Sequence, residues 1–481
     1  MIFFLLLGIA LRFTLPAWLP LWPDELASFQ RAHLSILQLI HTLKGNQPLY
    51  ETLLHFWIKG GEEDAYLRLF SILVGCLSLV IFLVFLRVLK LSLFPIILLS
   101  LSPLHFMFSR IARAYSLLFL FSLLSLLFLY LYFQKERAKY WTGFVIFSTL
   151  MVYTHFSAWL LIGAEGIIIL IWLLKKKHFS PLLLSLPLVF LLSLPWLLYS
   201  LRGAAEISKA PYYSSQAGII YKPVYLLFAL LGGLTLNPFR IWTSLPLLFS
   251  GLFLFLYSLK RRKGEILFSL YSLYLAFWIP FLIGVFIPAV SPKHLIYLLI
   301  PLYILMGKGI EDLKKKKWRS LLLAIYFTPI MISFTNYFLK MDFTDASMVT
   351  PWREIAQEIE RKEEKGECIL VESDLHFLYG RRVDLFRRYY KGNLPVFPLS
   401  STSPQEIEEK LKGFSRVWIL LYAEGNPQEF LSWMKGKGEI LYYKGFQWET
   451  HVLKGIREGW RNWDKYASFL YELILLRKYE R

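Results

Sequence analysis

Two adjacent carboxylates, Asp24 and Glu25, stand at the end of the first apolar stretch of the chain, directly after Pro23. A carboxylate at such a place can accept a proton from a hydroxyl group that is about to react. It can equally cap an interfacial helix, because the first turn of a helix has free amide groups and a positive dipole end. The two residues leave both interpretations open, and the choice depends on the elements that position them.

The composition indicates an integral membrane protein. Of the 481 residues, 56% are hydrophobic and 17% are aromatic, which is too apolar for a soluble enzyme of this length. The formal net charge of +19 comes from Lys and Arg clustered between apolar runs, as in cytoplasmic membrane loops, so it does not indicate a nucleic-acid partner. The two cysteines, Cys76 and Cys368, imply no disulfide framework.

Apolar stretches of membrane-spanning length predict an α-helical polytopic membrane protein with about eleven transmembrane helices. The first stretch, from Ile2 to Leu21, has no basic leader and no evident cleavage site, so we interpret it as a retained helix rather than a signal peptide. Another of the predicted helices covers residues 91–109.

The basic clusters predict the orientation of these helices. All of them fall on the cytoplasmic side if the crossings alternate and if residues 219–236 lie at the interface without crossing. The N-terminus is then cytoplasmic in a plasma (inner) membrane. The predicted external parts are the loop 22–66, the loop 202–222 and everything after about residue 336.

The chain changes character after residue 340, which predicts a transmembrane domain over 1–340 and a small external α/β domain over 341–454. The predicted elements are helices at 352–365 and 404–411 and strands at 368–372, 416–422 and 439–443. No Gly-rich phosphate loop follows these strands, so a nucleotide is not expected. The last segment, 455–481, interleaves aromatic and basic residues, which fits either a membrane surface or docking on its own domain.

Several stretches together resemble one enzyme family. They are PDELASFQRA, NQPLYETLLHFWIKGGEEDAYLRLFSILVG, SRIARAYSLLFLFSLLSLL, YTHFSAWLLIGAEGIIIL and SPKHLIYLLIPLYILMGKGIEDL, with the residues from Pro351 to Glu354 at the start of the external domain. The ordered set resembles the dolichyl-phosphate-mannose-protein mannosyltransferase-like group of GT-C class membrane glycosyltransferases, glycosyltransferase family 39 and its relatives.

This resemblance implies transfer of a sugar from a polyprenyl-phosphate donor to an acceptor hydroxyl at the external face, with inversion. The family carries an acidic residue in its first external loop, and the matching position here is Asp24, which is expected to act as the general base. Glu25 is then a supporting acid that orients the acceptor or assists a divalent metal ion. No pattern of metal-ligand spacing accompanies it.

Leaving-group stabilisation requires cations near the phosphate. The expected donor-binding residues are Arg110, Arg113 and Tyr115 at the external end of two helices, and Lys293 with His294 at the outer start of another. In relatives an arginine followed by an aromatic residue usually stands in place of the Lys293–His294 pair. The alternative for the arginines is that they reach toward lipid headgroups.

Four further residues have a weaker claim to a function. His155 lies among aromatic residues, Tyr50 belongs to a proline-leucine-tyrosine element, and Arg68 stands at the outer start of a helix, where anchoring the helix is the first interpretation. Glu165 lies within an apolar run, where an acid is either functional or part of helix packing.

Two other classes remain open from the sequence, a multi-pass transporter and a noncatalytic membrane scaffold. The sequence shows no inverted pair of interrupted helices, which is the pattern that would favour a transporter. The partners expected for the preferred class are the lipid bilayer, a polyprenyl-phosphate-sugar donor and a protein, lipid or glycan acceptor. The sequence names neither the sugar nor the acceptor.

Overall fold

The computed structural model describes residues 2–43, 46–177, 180–207, 221–259, 265–287, 289–344, 346–372, 382–399, 413–422, 438–448 and 469–478. The chain divides into two compact units. The first, which we call the membrane unit, comprises Met1–Ala17 and Arg31–Phe343. The second, which we call the C-terminal unit, comprises Trp18–Gln30 and Thr344–Arg481. The C-terminal unit therefore includes, besides the residues after the predicted boundary near residue 340, a short early segment that carries Asp24.

Sixteen α-helices precede the C-terminal domain in the part of the chain that the structure describes. They are α1 (Ile2–Phe13), α2 (Pro23–Ala32), α3 (Ile36–Thr42), α4 (Leu49–Trp57), α5 (Asp64–Val88), α6 (Phe94–Ser100), α7 (Pro103–Phe108), α8 (Tyr115–Lys135), α9 (Ala138–Thr154), α10 (Ala158–Lys176), α11 (Ser185–Ile207), α12 (Lys222–Gly232), α13 (Ile241–Tyr257), α14 (Glu265–Phe286), α15 (Leu299–Asp312) and α16 (Lys316–Leu339). A 3-10 helix, Pro292–Leu298, leads into α15.

Seven helical segments among the described residues are long and apolar enough to cross a membrane, by length and composition. Three shorter apolar helices, α1, α12 and α13, accompany them. Helix α5, with 25 residues, is about 37 Å long at 1.5 Å per residue, which exceeds a hydrocarbon core of about 30 Å. The prediction of a polytopic helical membrane protein is confirmed, whereas the number eleven is not.

Two features of the membrane unit bear on the predicted helices. Residues 91–109 form two short helices, α6 and α7, rather than one. Ser102 accepts a hydrogen bond from the backbone N–H of His105 and Pro103 occupies the first turn of α7, so a new helix begins where a continuous one was expected. Helix α12 has 11 residues and is too short to cross, in keeping with the prediction for residues 219–236.

The C-terminal unit contains helices α17 (Trp352–Glu360) and α18 (Arg382–Tyr389) and a five-stranded sheet. The strands are β1 (Glu367–Glu372), β2 (Val396–Leu399), β3 (Arg416–Tyr422), β4 (Gly438–Trp448) and β5 (Phe469–Lys478), in the spatial order β2-β1-β3-β5-β4. Strand β1 is parallel to β2 and β3, whereas β5 is antiparallel to β3 and β4. This small sheet agrees with the predicted α/β domain.

Alternate residues of the central strands form the core of this sheet, among them Cys368 and Leu370 of β1, Val417 and Ile419 of β3, and Ile474 of β5. The strands predicted at 368–372 and 416–422 are present, and the one predicted at 439–443 is longer. Residues 469–478 of the predicted amphipathic segment form strand β5 inside the sheet. The predicted helix at 404–411 and the aromatic residues Trp460, Trp463 and Tyr466 lie outside the described residues.

Candidate functional site

The membrane unit brings together five residues that the sequence singled out, and we call them the cationic cluster: Arg113, Tyr115, His155, Lys293 and His294. The ring centroids of His155 and His294 are 4.9 Å apart, and the Tyr115 centroid lies 5.9 Å from that of His155 and 6.3 Å from that of His294. Lys293 Nζ is 5.9 Å from the Tyr115 centroid. The positive charges of Arg113 and Lys293 both act on the His155 ring.

Ser157 holds two of the contributing segments in register. Its hydroxyl donates a hydrogen bond of 2.6 Å to the backbone carbonyl of His294. Its own carbonyl accepts a hydrogen bond of 3.1 Å from the Tyr297 hydroxyl. The start of α10 is thereby joined to the 3-10 helix that carries Lys293 and His294. Sequence reasoning did not select Ser157, because a serine at the start of a helix indicates only a local cap.

His155 lies in the connection between α9 and α10, and its ring is neutral at physiological pH. The Ser157 hydroxyl oxygen lies 2.9 Å from His155 Nδ1, and the backbone nitrogen of Ser157 lies 3.2 Å from the same atom. Burial, together with the smaller effects of the charges of Arg113 and Lys293, lowers the pKa of His155 to about 3. The positive charge of the cluster therefore belongs to its arginine and lysine, not to this histidine.

A stability prediction follows from the lowered pKa of His155. Between pH 6.5, the ordinary value for histidine, and about pH 3, the unfolded chain binds a proton at residue 155 that the folded chain does not. The contribution of residue 155 to the free energy of unfolding therefore has its full value above pH 6.5 and is lost as the pH falls toward 3. We expect the unfolding midpoint of the purified protein to fall less between pH 7 and pH 4.5 in His155→Asn than in the wild type. An identical fall in both proteins would contradict the assignment.

Glu51, a residue of α4 that sequence reasoning did not select, binds two arginines. Its Oε1 lies 3.3 Å from Arg31 Nη1 and 3.5 Å from Arg113 Nη1, and only 6% of its side chain is exposed. The carboxylate fixes the direction of the Arg113 guanidinium and neutralises one of the two arginine charges. The side chains of Arg113 and Lys293 are cations of the kind that bind anionic groups.

Arg110 and Arg68, by contrast, contact the segment that follows α1. Arg110 is buried, and its Nη2 donates to the carbonyl oxygens of Thr14 and Leu15. Its guanidinium also lies over the ring of Phe106, 4.7 Å from the centroid. Arg68 Nη1 donates to the carbonyl of Pro16 over 2.9 Å. These contacts hold the end of α1, and they give Arg110 partners different from the Glu51 carboxylate that Arg113 binds.

Tyr50 and Glu165 also make internal contacts. The Tyr50 hydroxyl lies 3.1 Å from Ser71 Oγ, and the side chain is fully buried. Glu165 is buried in α10 and accepts a hydrogen bond of 2.7 Å from Ser125 Oγ, which in turn lies 2.9 Å from Ser148 Oγ. The acid thus links α10 to α8 and α9, which agrees with its packing interpretation.

In the C-terminal unit, Asp24 and Glu25 occupy different positions in the first turn of α2. Glu25 is buried, and its Oε2 accepts a hydrogen bond of 3.0 Å from the backbone N–H of Trp22. A glutamate three residues after the cap that bonds the cap amide is one half of a capping box. Asp24 is partly exposed. The capping role considered for the pair therefore falls to Glu25, and the Pro-Asp-Glu order could have predicted it.

Among the residues that the structure describes, no group of three or more His, Cys, Asp or Glu side chains is placed to hold a metal ion. Glu25, the residue considered for this role, is engaged with the backbone of its own helix.

No family model matches the chain, and no curated protein matches it either. Several solved structures do match the chain. ArnT from Cupriavidus metallidurans, bound to undecaprenyl phosphate, is 12% identical over 99% of this chain and 97% of that chain, with a TM-score of 0.57. The oligosaccharyltransferase of Archaeoglobus fulgidus, in complex with Zn and sulfate, is 14% identical over 92% and 71%, with a TM-score of 0.51.

The same oligosaccharyltransferase tethered to an acceptor peptide gives a TM-score of 0.52 at 13% identity, over 92% of this chain and 72% of that chain. Because these identities are low, the similarity shows a common fold. The chain has the fold of the GT-C class membrane glycosyltransferases, as the sequence resemblance predicted.

Proposed function

We propose that the protein is a glycosyltransferase that moves a sugar from a polyprenyl-phosphate donor to an acceptor hydroxyl on the external face of a plasma (inner) membrane. The observation that carries the proposal is the cationic cluster of the membrane unit, in which Lys293 lies over the Tyr115 ring and the charges of Arg113 and Lys293 both act on His155. A permanently charged guanidinium and an ammonium are suited to the phosphate of a lipid carrier. The structural match to a protein bound to undecaprenyl phosphate supports the same donor class.

In the proposed reaction Asp24 removes the proton of the acceptor hydroxyl as its oxygen attacks the anomeric carbon of the sugar. The bond between that carbon and the phosphate oxygen breaks, and the polyprenyl phosphate leaves with one additional negative charge. Arg113 and Lys293 stabilise this charge as it develops. A single displacement inverts the configuration of the anomeric carbon, and the proton remains on Asp24 until solvent accepts it.

The remaining predicted residues have supporting roles in this proposal. Tyr115 and the rings of His155 and His294 form the wall beside the cations and offer surfaces to sugar rings. Glu51 holds Arg113 in place. Glu25 fixes the first turn of α2, so that the adjacent carboxylate of Asp24 projects from a rigid helix end.

The proposal is tested by supplying the protein in lipid nanodiscs with a panel of polyprenyl-phosphate sugars and a detergent extract of cell envelopes as acceptor. Mass spectrometry follows both the release of polyprenyl phosphate and the molecules that gain a sugar. We expect one donor to be consumed, and NMR of the product to show an inverted anomeric configuration. Accumulation of free sugar inside sealed vesicles, without any covalent product, would instead identify a transporter.

A further inference from the structure

Residues 18–30 belong to the C-terminal unit rather than to the helices that flank them in the chain. This segment contains Asp24 and most of α2. The domain that follows residue 343 is thus built partly from the loop that carries the proposed base. The contacts between the domain and that loop indicate how the domain affects the position of the proposed base.

Helix α18 contacts this segment on both sides of Asp24. Before α2, the Tyr389 hydroxyl accepts a hydrogen bond of 2.6 Å from the backbone N–H of Leu21. Near the end of α2, the Arg388 guanidinium lies over the ring of Phe29, 4.6 Å from its centroid. Gln30 Nε2 donates to Asp384 Oδ2 over 3.4 Å. The three residues of α18 hold the segment at two places that enclose the first turns of α2.

The hydrogen bond to Leu21 constrains the backbone just before the acid. Leu21 is buried, with 1% of its surface exposed, so its N–H would lose its partner if Tyr389 withdrew. The next amide, that of Trp22, is bonded by Glu25. Two consecutive N–H groups before the proline are therefore fixed, one by the domain and one by α2 itself. This leaves the turn that carries Asp24 little freedom of orientation.

Helix α18 is itself anchored in the domain. Its residues Val383, Leu385 and Phe386 are buried. The guanidinium of Arg353, from α17, lies over the Tyr389 ring at 5.1 Å from the centroid. Arg353 belongs to the Pro351–Glu354 motif, which the proposed chemistry does not otherwise use. The motif thus supports the tyrosine that bonds the loop.

We propose that the C-terminal domain positions the base-bearing helix α2 through α18, with Tyr389 and Arg388 as its positioning residues. This inference rests on the proposed function of Asp24. A general base must lie within hydrogen-bond reach of the proton that it removes, and a displacement of about 1 Å can lower a rate about 100-fold. The domain then acts on the rate of the chemical step through the position of Asp24.

Two matched pairs of variants test this inference. Tyr389→Phe removes the hydroxyl that bonds Leu21, whereas the control Tyr390→Phe removes a hydroxyl that bonds Glu363 and Leu394 within the domain. Arg388→Gln removes the cation over Phe29, whereas the control Arg387→Gln removes a guanidinium that donates to the Val396 carbonyl and lies 4.0 Å from Asp384, at the limit of an ion pair. Each pair makes the same chemical change at adjacent positions of the chain.

We expect Tyr389→Phe and Arg388→Gln to lower kcat about tenfold while the KM for the donor changes less than about twofold. Hydrogen–deuterium exchange should rise in residues 18–30 and not in the core strands. The two controls should keep kcat within about twofold of the wild type. A purely structural role would lower the unfolding midpoint equally in each pair and leave kcat unchanged in all four variants.

The outcomes separate the two proposals. If Asp24→Asn is inactive but Tyr389→Phe and Arg388→Gln turn over like the wild type, the positioning role of the domain is refuted and the base assignment stands. If Asp24→Asn is fully active, the proposed base is refuted, whatever the Tyr389 variant does. A rise of the donor KM with unchanged kcat in the Tyr389 and Arg388 variants would also overturn the positioning role.

Discussion

Replacement of Asp24 by asparagine is expected to reduce sugar transfer by at least about 100-fold, the lower end of the contribution of a general base. Asparagine has the same shape, keeps a hydrogen-bonding side chain and can occupy the first turn of α2. It cannot accept the proton of the acceptor hydroxyl at neutral pH. The loss should therefore appear in kcat, while binding of the donor and the amount of folded protein remain at the level of the wild type.

The control is the same substitution at Asp312, at the end of α15, where the carboxylate lies 3.5 Å from Lys308 Nζ. Asp312→Asn should transfer sugar at the rate of the wild type. Glu25→Gln should lose far less activity than Asp24→Asn, because an amide oxygen can still accept the hydrogen bond from Trp22. Full activity of Asp24→Asn, or inactivity of Glu25→Gln in a folded protein, would contradict the division of roles between the two acids.

The sequence was sufficient for the elements whose signal is local. Long apolar stretches predicted the membrane helices, because a helix must be this long to cross and must satisfy its own backbone. The short runs CILVE and RVWILLY predicted strands β1 and β3 because Val, Ile, Trp and Tyr are enriched in strands. The separation of the helical part from the small sheet followed from the same patterns.

Elements that depend on distant partners could not be predicted in this way. Strand β5 pairs with β3 and β4 through the run Tyr471–Leu476, and an apolar run of that length fits a strand as well as a helix. The break between α6 and α7 was visible only as Ser102-Pro103 within an apolar stretch. Proline occurs inside membrane helices too, so that signal is ambiguous.

The candidate site shows the same limit. Tyr115, Lys293 and His294 were selected one by one, and only the fold brings the Tyr115 ring to 5.9 Å from Lys293 Nζ and to 6.3 Å from the His294 ring. The sequence does not single out Glu51, because the helix dipole is a sufficient local explanation for an acid in the first turn of a helix. Its ion pairs with Arg31 and Arg113 join three segments that are far apart in sequence, and no local pattern records such a contact.

The two arginines of the segment Ser109–Tyr115 should respond differently to the same substitution. Arg113→Gln is expected to weaken binding of undecaprenyl phosphate about 10- to 100-fold, because a hydrogen bond to a charged group contributes about 1.5–3 kcal/mol. Lys293→Gln should have a similar effect. Arg110→Gln should leave the affinity nearly unchanged and lower the unfolding midpoint, since its guanidinium bonds the carbonyl oxygens of Thr14 and Leu15.

Titration of the detergent-solubilised variants with fluorescent undecaprenyl phosphate, together with thermal unfolding, separates these effects. The contrast is informative because the two arginines are three residues apart and were equivalent candidates in the sequence. If Arg110→Gln weakened binding as much as Arg113→Gln, the anionic group would lie at the end of α1, and the cationic cluster would not be the donor site. If only Arg113 and Lys293 affected the affinity, the cationic cluster would be the site at which the phosphate binds.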